Sequence, residues 1–479
     1  MDAIGRKTDT WGSRFGFIMA AVGSSVGLGN FWRFPYTAAE NGGGAFIVIY
    51  LMCVLLIGLP LLMAEYGMGR KSGKSAIEGV QSLARAEGKT QYWGVATWVG
   101  SLTAFFILTF YMVISVWLIA FLLQAPTGRF DGMDAATSGA NFMNTIGQGE
   151  NASATKWGIL GLLSLFIAAN VFVVGRGVKQ GIEKAATILM PLFFLMLIVV
   201  VGFALTTGDV AQTLDFVFSP KWENVGFKTF LSALGQAFFS IGVGVGLMIT
   251  YGAYLDSKTD VPRSSAIIVS ADTFVAMIAA FAIFPIAFGA GLNISIDCPP
   301  DQICDSAAGP GLFFISMPVA FGSIPYGEVI STIFFALALF AAFTSSISLM
   351  EVGVSWLEER QGVTRFGAAL GVGFVLWMIG GAYVFSLEYL DFVDFMTEGL
   401  LLPLGGLLVA VFAGWIISRQ MLETELGEGR VMNVWRFLIR WFVPPFIAFV
   451  LFFGFFDKIQ DQYGVDLPGF LTVFLGPNS

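Results

Sequence analysis

The sequence predicts an all-α polytopic membrane protein with eleven transmembrane helices, ten of them forming two inverted repeats of five. Three observations carry this. Only 12% of the 479 residues are charged and 56% are hydrophobic, whereas a soluble domain holds about 25% charged residues. Apolar segments long enough for the roughly 20 residues of a bilayer crossing fall near 12–36, 43–69, 92–124, 157–175, 181–206, 226–254, 263–291, 328–358, 366–386, 391–417 and 434–456. The first and sixth of these are interrupted by glycine at mid-length. Their offset of five spans sets the repeat. One starts inside and the other outside, so the repeats are inverted. The expected organisation is a cytoplasmic N-terminal gate segment at 1–11, repeats at 12–206 and 226–417, an added eleventh helix at 434–456, and a tail at 457–479 outside.

The first span places Gly23, Ser24, Ser25, Gly27, Gly29 and Asn30 in its middle, and the sixth carries GVGVG at Gly242 to Gly246. Glycine weakens a helix, and Ser and Asn compete for backbone hydrogen bonds. In lipid an unpaired backbone group costs several kcal/mol, so irregular backbone survives only where it lines a cavity or binds something. Close helix packing accounts for glycines, but not for Asn30 and Arg33 inside a span. The expected function is therefore transport through a site at mid-membrane.

Charge sets the orientation. With the N-terminus inside, 19 of the 25 Lys and Arg fall on cytoplasmic segments, and the outer loops at 293–327 and 387–391 hold none. No cleavable signal is expected before the first span. The chain has no His, which removes the usual proton shuttle and neutral metal ligand. No basic run suggests nucleic acid, and no nucleophile–base constellation suggests an enzyme. An ion channel is disfavoured because channels repeat one pore helix about a symmetry axis. Cys53 reads as a small buried hydrophobe. Cys298 and Cys304 flank a polar outer loop, where a local disulfide forms in an oxidising compartment; two free thiols are the alternative. The sequons at Asn151 and Asn293 are discounted, because the compact termini suggest a prokaryotic chain.

GSSVGLGNFWRFPYTAAENGGGAF (Gly23 to Phe46) resembles the first-helix signature of the neurotransmitter:sodium symporters. GQAFFSIGVGVG (Gly235 to Gly246) resembles their sixth helix, and AAFTSSISLM (Ala341 to Met350) their eighth. The resemblance implies a LeuT-like fold in the bacterial inner membrane, with helices 1 and 6 unwound at mid-membrane. It implies Na⁺-coupled, alternating-access symport of a neutral, mostly hydrophobic α-amino acid, with Na⁺ at two sites and no organic cofactor. Uptake of an osmolyte or derivative such as taurine, betaine or a GABA-like compound is the alternative. The expected partners are the amino acid and the lipid bilayer, with the chain a monomer or homodimer. Most members of the family have twelve helices rather than eleven.

By the same resemblance, the first sodium is held by Ser25, Asn30, Ser240 and Asp272, and the second by Gly23, Val26, Ala341, Thr344 and Ser345. Taken alone, Thr344 and Ser345 are helical hydroxyls bonding back to their own turn. Asp272 stands where animal members generally have Asn, with Ala276 one turn on in place of Ser. This fixed negative charge implies chloride-independent transport, although Tyr50, Gln236 and Ser240 resemble chloride ligands. A proton-carrying carboxyl is the other reading of Asp272.

The substrate pocket implied is Ser24, Ser25, Leu28, Gly29, Ile107, Tyr111, Phe239, Ser240, Gly242, Val245, Ser345 and Leu349. Gly29 opens the start of a half-helix to a carboxylate, Tyr111 binds that carboxylate, and Ser24 replaces the Asp with which monoamine carriers hold an amine. At the outer gate, Arg33 is expected to pair with Asp394, with Asp391 as runner-up. At the inner gate, Trp11 anchors the N-terminal segment and Glu359 pairs with Arg6 or Lys7, braced by Tyr254. Gly181 and Pro191 resemble the family motif that unwinds helix 5; a proline kink is the alternative. Glu65 is expected to accept hydrogen bonds from the broken first helix.

Overall fold

A computed structural model describes residues 9–149, 152–292 and 311–463. Arg6, Lys7, Cys298, Cys304, Asn151 and Asn293 lie outside the described residues. Among those described, every regular element is helical. Nine helices are long and apolar enough to cross a membrane: Gly44–Ser72, Gln91–Thr127, Ala152–Val174, Val178–Thr207, Val261–Gly289, Gly327–Gln361, Arg365–Phe385, Leu387–Ile416 and Arg430–Phe456. Among the described residues the pair Arg14–Ser25 and Gly29–Glu40, bent by 48°, is long and apolar enough to cross when taken as one span. The remaining predicted span, 226–254, comes as Phe227–Ile241 and Leu247–Ala253, neither long enough to cross alone. Below, spans keep their predicted order, one to eleven.

The two interruptions differ in backbone. At the first, Val26 turns extended (φ −73°, ψ 97°) between the helical halves. At the sixth, Gly242, Gly244 and Gly246 all take positive φ (72°, 83° and 74°). Side chains rarely adopt that region, so the alternating glycines of GVGVG are required by geometry. The sixth break is also seated on other glycines. A Cβ on Gly405 would lie 2.2 Å from the Gly244 carbonyl oxygen, and one on Gly100 2.5 Å from it. Spans three and ten thus reach the break only because they are bare at the contact.

Around the breaks the spans pack in pairs. Span eight lies along span three, span nine along span four, and span seven along span two; the half-helix Arg14–Ser25 rests on spans five and eight. Span five departs from expectation. Val178–Thr207 is helical from Gly181 through Pro191, with a wide turn at Val178–Glu183. The stretch expected to unwind is wound. Gly181 serves close packing, because a Cβ there would sit 1.9 Å from the Val173 carbonyl oxygen of span four.

The glycine seat is testable. Gly405→Ala pushes a methyl into the Gly244 carbonyl, whereas Gly371→Ala meets nothing within 4 Å. Thermal unfolding in detergent should show Gly405→Ala destabilised by about 1–3 kcal/mol and Gly371→Ala at or above the wild-type midpoint.

Candidate functional site

Each interruption frees backbone groups, and the site is built by the side chains that meet them. Asn30 Oδ1 accepts from the Gly27 amide at 3.0 Å. The Tyr111 hydroxyl accepts from the Leu28 amide at 3.4 Å. Gln236 Nε2 donates to the Gly29 carbonyl at 2.9 Å. Ser345 Oγ donates to the carbonyls of Gly23 and Ser24, each at 3.3 Å, and Ser25 Oγ to that of Ile241 at 3.1 Å. The buried Glu65 accepts from the Gly244 amide at 2.6 Å. This corrects the sequence expectation for Glu65, because its described partner lies in the sixth span rather than the first. The GVGVG turn points an amide at span two, and a carboxylate is the strongest acceptor available to it.

Beside the first break, Asn30, Ser240 and Asp272 close into one cluster. Asn30 Nδ2 donates to Asp272 Oδ1 at 2.9 Å, to the Asp272 carbonyl at 3.1 Å and to Ser240 Oγ at 3.2 Å. Ser240 Oγ donates to Asp272 Oδ2 at 2.8 Å. Asp272 is fully buried, and both described side-chain partners of its carboxylate are neutral. A buried carboxylate calls for a counter-charge. Among the described residues no group of three or more His, Cys, Asp and Glu side chains forms. A carboxylate, a hydroxyl and a backbone carbonyl are oxygen donors of the kind a hard cation takes, while the Asn30 amide turns its nitrogen to Asp272 and its oxygen to the Gly27 amide.

Four of the five residues expected at a second cation site, Gly23, Ala341, Thr344 and Ser345, are linked where Arg14–Ser25 crosses span eight. Ser345 reaches Gly23 as above. A Cβ on Gly23 would touch Thr344 Cβ at 3.2 Å and Met190 Sδ at 3.0 Å. Thr344 Oγ1 donates to the Phe340 and Ala341 carbonyls, both at 3.1 Å, the back-bonding that helical hydroxyls favour. Val26 and Ala341 are both fully buried. Met190 places the Gly181–Pro191 stretch of span five directly behind this corner.

Between the breaks lies a cavity lined by Ser24, Ser25, Leu28, Gly29, Ile107, Tyr111, Phe239, Gly242, Val245, Ser345 and Leu349. Of the residues expected there, only Ser240 is off the lining, turned instead to Asp272. Gly27, Phe238, Leu247 and Leu402 complete the wall. Gly27 was within the quoted motif but unassigned. A Cβ there would fall 2.7 Å from Ser345 Oγ and 3.0 Å from the Tyr111 hydroxyl, so both hydroxyls converge on it. At Gly29 a Cβ would strike Phe239 Cδ1 at 2.8 Å. Bare backbone at Gly29 therefore admits the Phe239 ring, and at Gly27 the polar groups. Leu402 gave no local signal, because it is one leucine in the run GLLLPLGGLL.

The two ends of the cavity are closed by charge. At one end, Arg33 pairs with Glu398 at 2.5 Å, and its guanidinium lies 4.8 Å above the Phe239 ring. This corrects the expected Asp394. Glu398 sits one turn further along span ten, in the wide turn Thr397–Leu401 that shifts the helical register. At the other end, Trp11 donates from its indole to the Tyr251 carbonyl at 3.2 Å and from its backbone to the Tyr254 carbonyl at 3.3 Å. Glu359 accepts from the Ser75 amide at 2.7 Å, while the Arg6 and Lys7 expected opposite it lie outside the described residues. Among the described residues an ion network at this end centres on Arg365, bonded to the fully buried Glu351 at 2.5 Å, to Glu358 at 3.2 Å and to Asp9 at 3.3 Å. Tyr254 donates to Glu351. Glu183 accepts from the Gly12 amide at 2.6 Å and from Ser13 Oγ at 3.0 Å, tying the start of span one to span five. Sequence reading missed Glu351, although a carboxylate seven residues past Thr344 in an apolar helix was a visible signal.

The model of the Sodium:neurotransmitter symporter family matches residues 8–138 and 139–469. An uncharacterised sodium-dependent transporter of Bacillus subtilis is 32% identical over 461 residues, covering 93% of this chain and 97% of that one. One from Haemophilus influenzae is 28% identical, covering 93% and 98%. The crystal structure of MhsT in complex with L-phenylalanine superposes with a TM-score of 0.82 at 34% identity, covering 94% of this chain and all of that one.

Two outcomes test the gates. Arg365→Gln strands the Glu351 charge and should cost about 3–5 kcal/mol of stability, while the double change with Glu351→Gln recovers much of it in thermal melts. A double-mutant cycle of Arg33→Gln and Glu398→Gln, read in substrate affinity, should give a coupling of about 0.5–3 kcal/mol; simple additivity would remove Glu398 from the gate.

Proposed function

The chain belongs to the Sodium:neurotransmitter symporter family, and on that premise we propose that it carries a neutral, mostly apolar α-amino acid into the cell with two Na⁺. The observation that carries this reading is the polarity of the cavity. Its hydroxyls, from Tyr111 and Ser345, gather at Gly27 where the half-helix Gly29–Glu40 begins. The rest of the wall is uncharged and largely apolar. A carboxylate is favoured at the half-helix start by free amides and the helix dipole. An ammonium then lies toward the carbonyls around Ser25 and Phe239, and an apolar side chain toward Ile107, Val245, Leu349 and Leu402. Ser24 offers no charge for an amine that lacks a carboxylate. The L-phenylalanine seen on MhsT fits the same class of ligand.

The cations are co-transported cargo. One takes the Ser25, Asn30, Ser240 and Asp272 oxygens and also faces the substrate carboxylate. The other takes the carbonyls of Gly23, Val26 and Ala341 with the hydroxyls of Thr344 and Ser345. Asp272 supplies the negative charge that balances the first cation, so no chloride is needed. Orientation follows from the basic residues: the end carrying Trp11 and Arg365 faces the cytoplasm. There Asp9 and Arg365 reverse the polarity of an N-terminal base meeting an acid. The alternation between sides breaks the Arg33–Glu398 contact at one end and the Arg365 network at the other.

Uptake into proteoliposomes tests the reading. A panel of labelled neutral amino acids, with taurine, betaine and GABA as competitors, should show saturable, Na⁺-driven uptake of an amino acid that the other three fail to compete. Replacing chloride by gluconate should leave the rate unchanged; loss of uptake would overturn the role given to Asp272. Asn30→Ala and Thr344→Ala should each weaken apparent Na⁺ affinity about tenfold or more, as loss of one ligand worth about 1.4 kcal/mol requires.

A further inference from the structure

Away from the transport path, span eleven carries an arginine with no acid opposite it. Arg440 lies over two indoles, with Cζ 4.5 Å from the ring centre of Trp415 and 5.5 Å from that of Trp441. The two rings meet edge to face at 4.8 Å. Arg440 Nε is buried and has no hydrogen-bond partner. Among the described residues no ion pair involves Arg440. Nearby acids are engaged elsewhere: Glu87 accepts from the Ser418 amide at 3.0 Å and from its hydroxyl at 2.5 Å, and Glu423 pairs with Arg419 at 2.6 Å.

The corner is built rather than loose. Trp415 Nε1 donates to the Arg440 carbonyl at 3.1 Å. Arg436, one turn earlier, gives its two terminal nitrogens to the carbonyls of Ala413 and Ile417, at 2.9 and 3.0 Å, where span ten ends. Both indoles remain open, Trp415 by 45% and Trp441 by 57%. Val434 and Phe437 extend an exposed apolar strip along the same helix toward Trp441.

Stacking occupies the faces of a guanidinium and leaves its edge of N–H donors free. That edge matches a phosphate, bidentate and charge-assisted. Tryptophan pairs sit at the headgroup level of a bilayer, and a basic side chain there gains from anionic lipid. We propose that Arg440, Trp415 and Trp441 form a headgroup site for an anionic phospholipid, whose phosphate meets the Arg440 edge while an acyl chain lies along Val434 and Phe437. The site binds one lipid at the seam of spans ten and eleven and holds them together at the end where the eleventh helix joins the bundle.

Native mass spectrometry of the full-length protein tests this, with phosphatidylglycerol and phosphatidylcholine added separately. Wild type should retain phosphatidylglycerol in preference. Arg440→Gln should lose about fivefold of that preference, the factor matching about 1 kcal/mol per interfacial basic side chain. Arg440→Lys, which keeps the charge and loses the flat fork, should fall between, and it serves if the glutamine variant does not fold. Millimolar inorganic phosphate should leave the lipid bound. Equal retention of the two lipids by wild type, an unchanged preference in both variants, or displacement by inorganic phosphate would each overturn the site.

Discussion

A backbone amide or carbonyl released from a helix inside a bilayer finds no water to bond, and the centre of this bundle is organised around that shortage. Two helices open at mid-length, and the side chains that answer them come from spans two, three, six and eight: Glu65, Tyr111, Gln236 and Ser345. Asn30 answers from within the first break itself. None of these residues is replaceable by an apolar one of similar size without stranding a buried partner. The same geometry that satisfies part of the loosened backbone concentrates oxygen atoms around Asp272 and Gly23. Stability and the proposed ion binding thus draw on one set of groups.

The ends of the bundle follow from the same shortage in a different form, since charge inside a membrane must be matched. Arg33 lies over an aromatic ring and against Glu398. At the other end Arg365 gathers Glu351, Glu358 and Asp9 from the eighth span, its end and the N-terminal segment. Glu183 holds the first turn of span one through Gly12 and Ser13. A Cβ on Gly16 would fall 1.9 Å from the Glu183 carboxylate, so the helix approaches span five only because that position is bare. The N-terminal segment is thereby tied to span five, whose Met190 lies against Gly23.

Much of this was legible in the sequence because its physical causes are local. Glycine, serine and asparagine inside an apolar run announce a break, and the cavity lining followed from the matched motifs except for Gly27, Phe238, Leu247 and Leu402. The gates were less legible. Whether Asp394 or Glu398 meets Arg33 depends on a wide helical turn at Thr397–Leu401, which no residue pattern marked. Glu359 became a partner for the Ser75 amide because the long eighth helix ends against the short helix that Ser75 starts. The wound state of span five between Gly181 and Pro191 is a property of one conformation, and a single sequence encodes several.

The two openings are proposed to cage cations between loosened backbone and side-chain oxygens. A high-resolution structure determined in Na⁺ with a bound neutral amino acid addresses this most directly. It should show spherical density within about 2.5 Å of oxygens from Ser25, Asn30, Ser240 and Asp272, and a second such density among Gly23, Val26, Ala341, Thr344 and Ser345. Continuous helix through Gly23–Asn30 or Gly242–Gly246, or water geometry at both positions in saturating Na⁺, would contradict it.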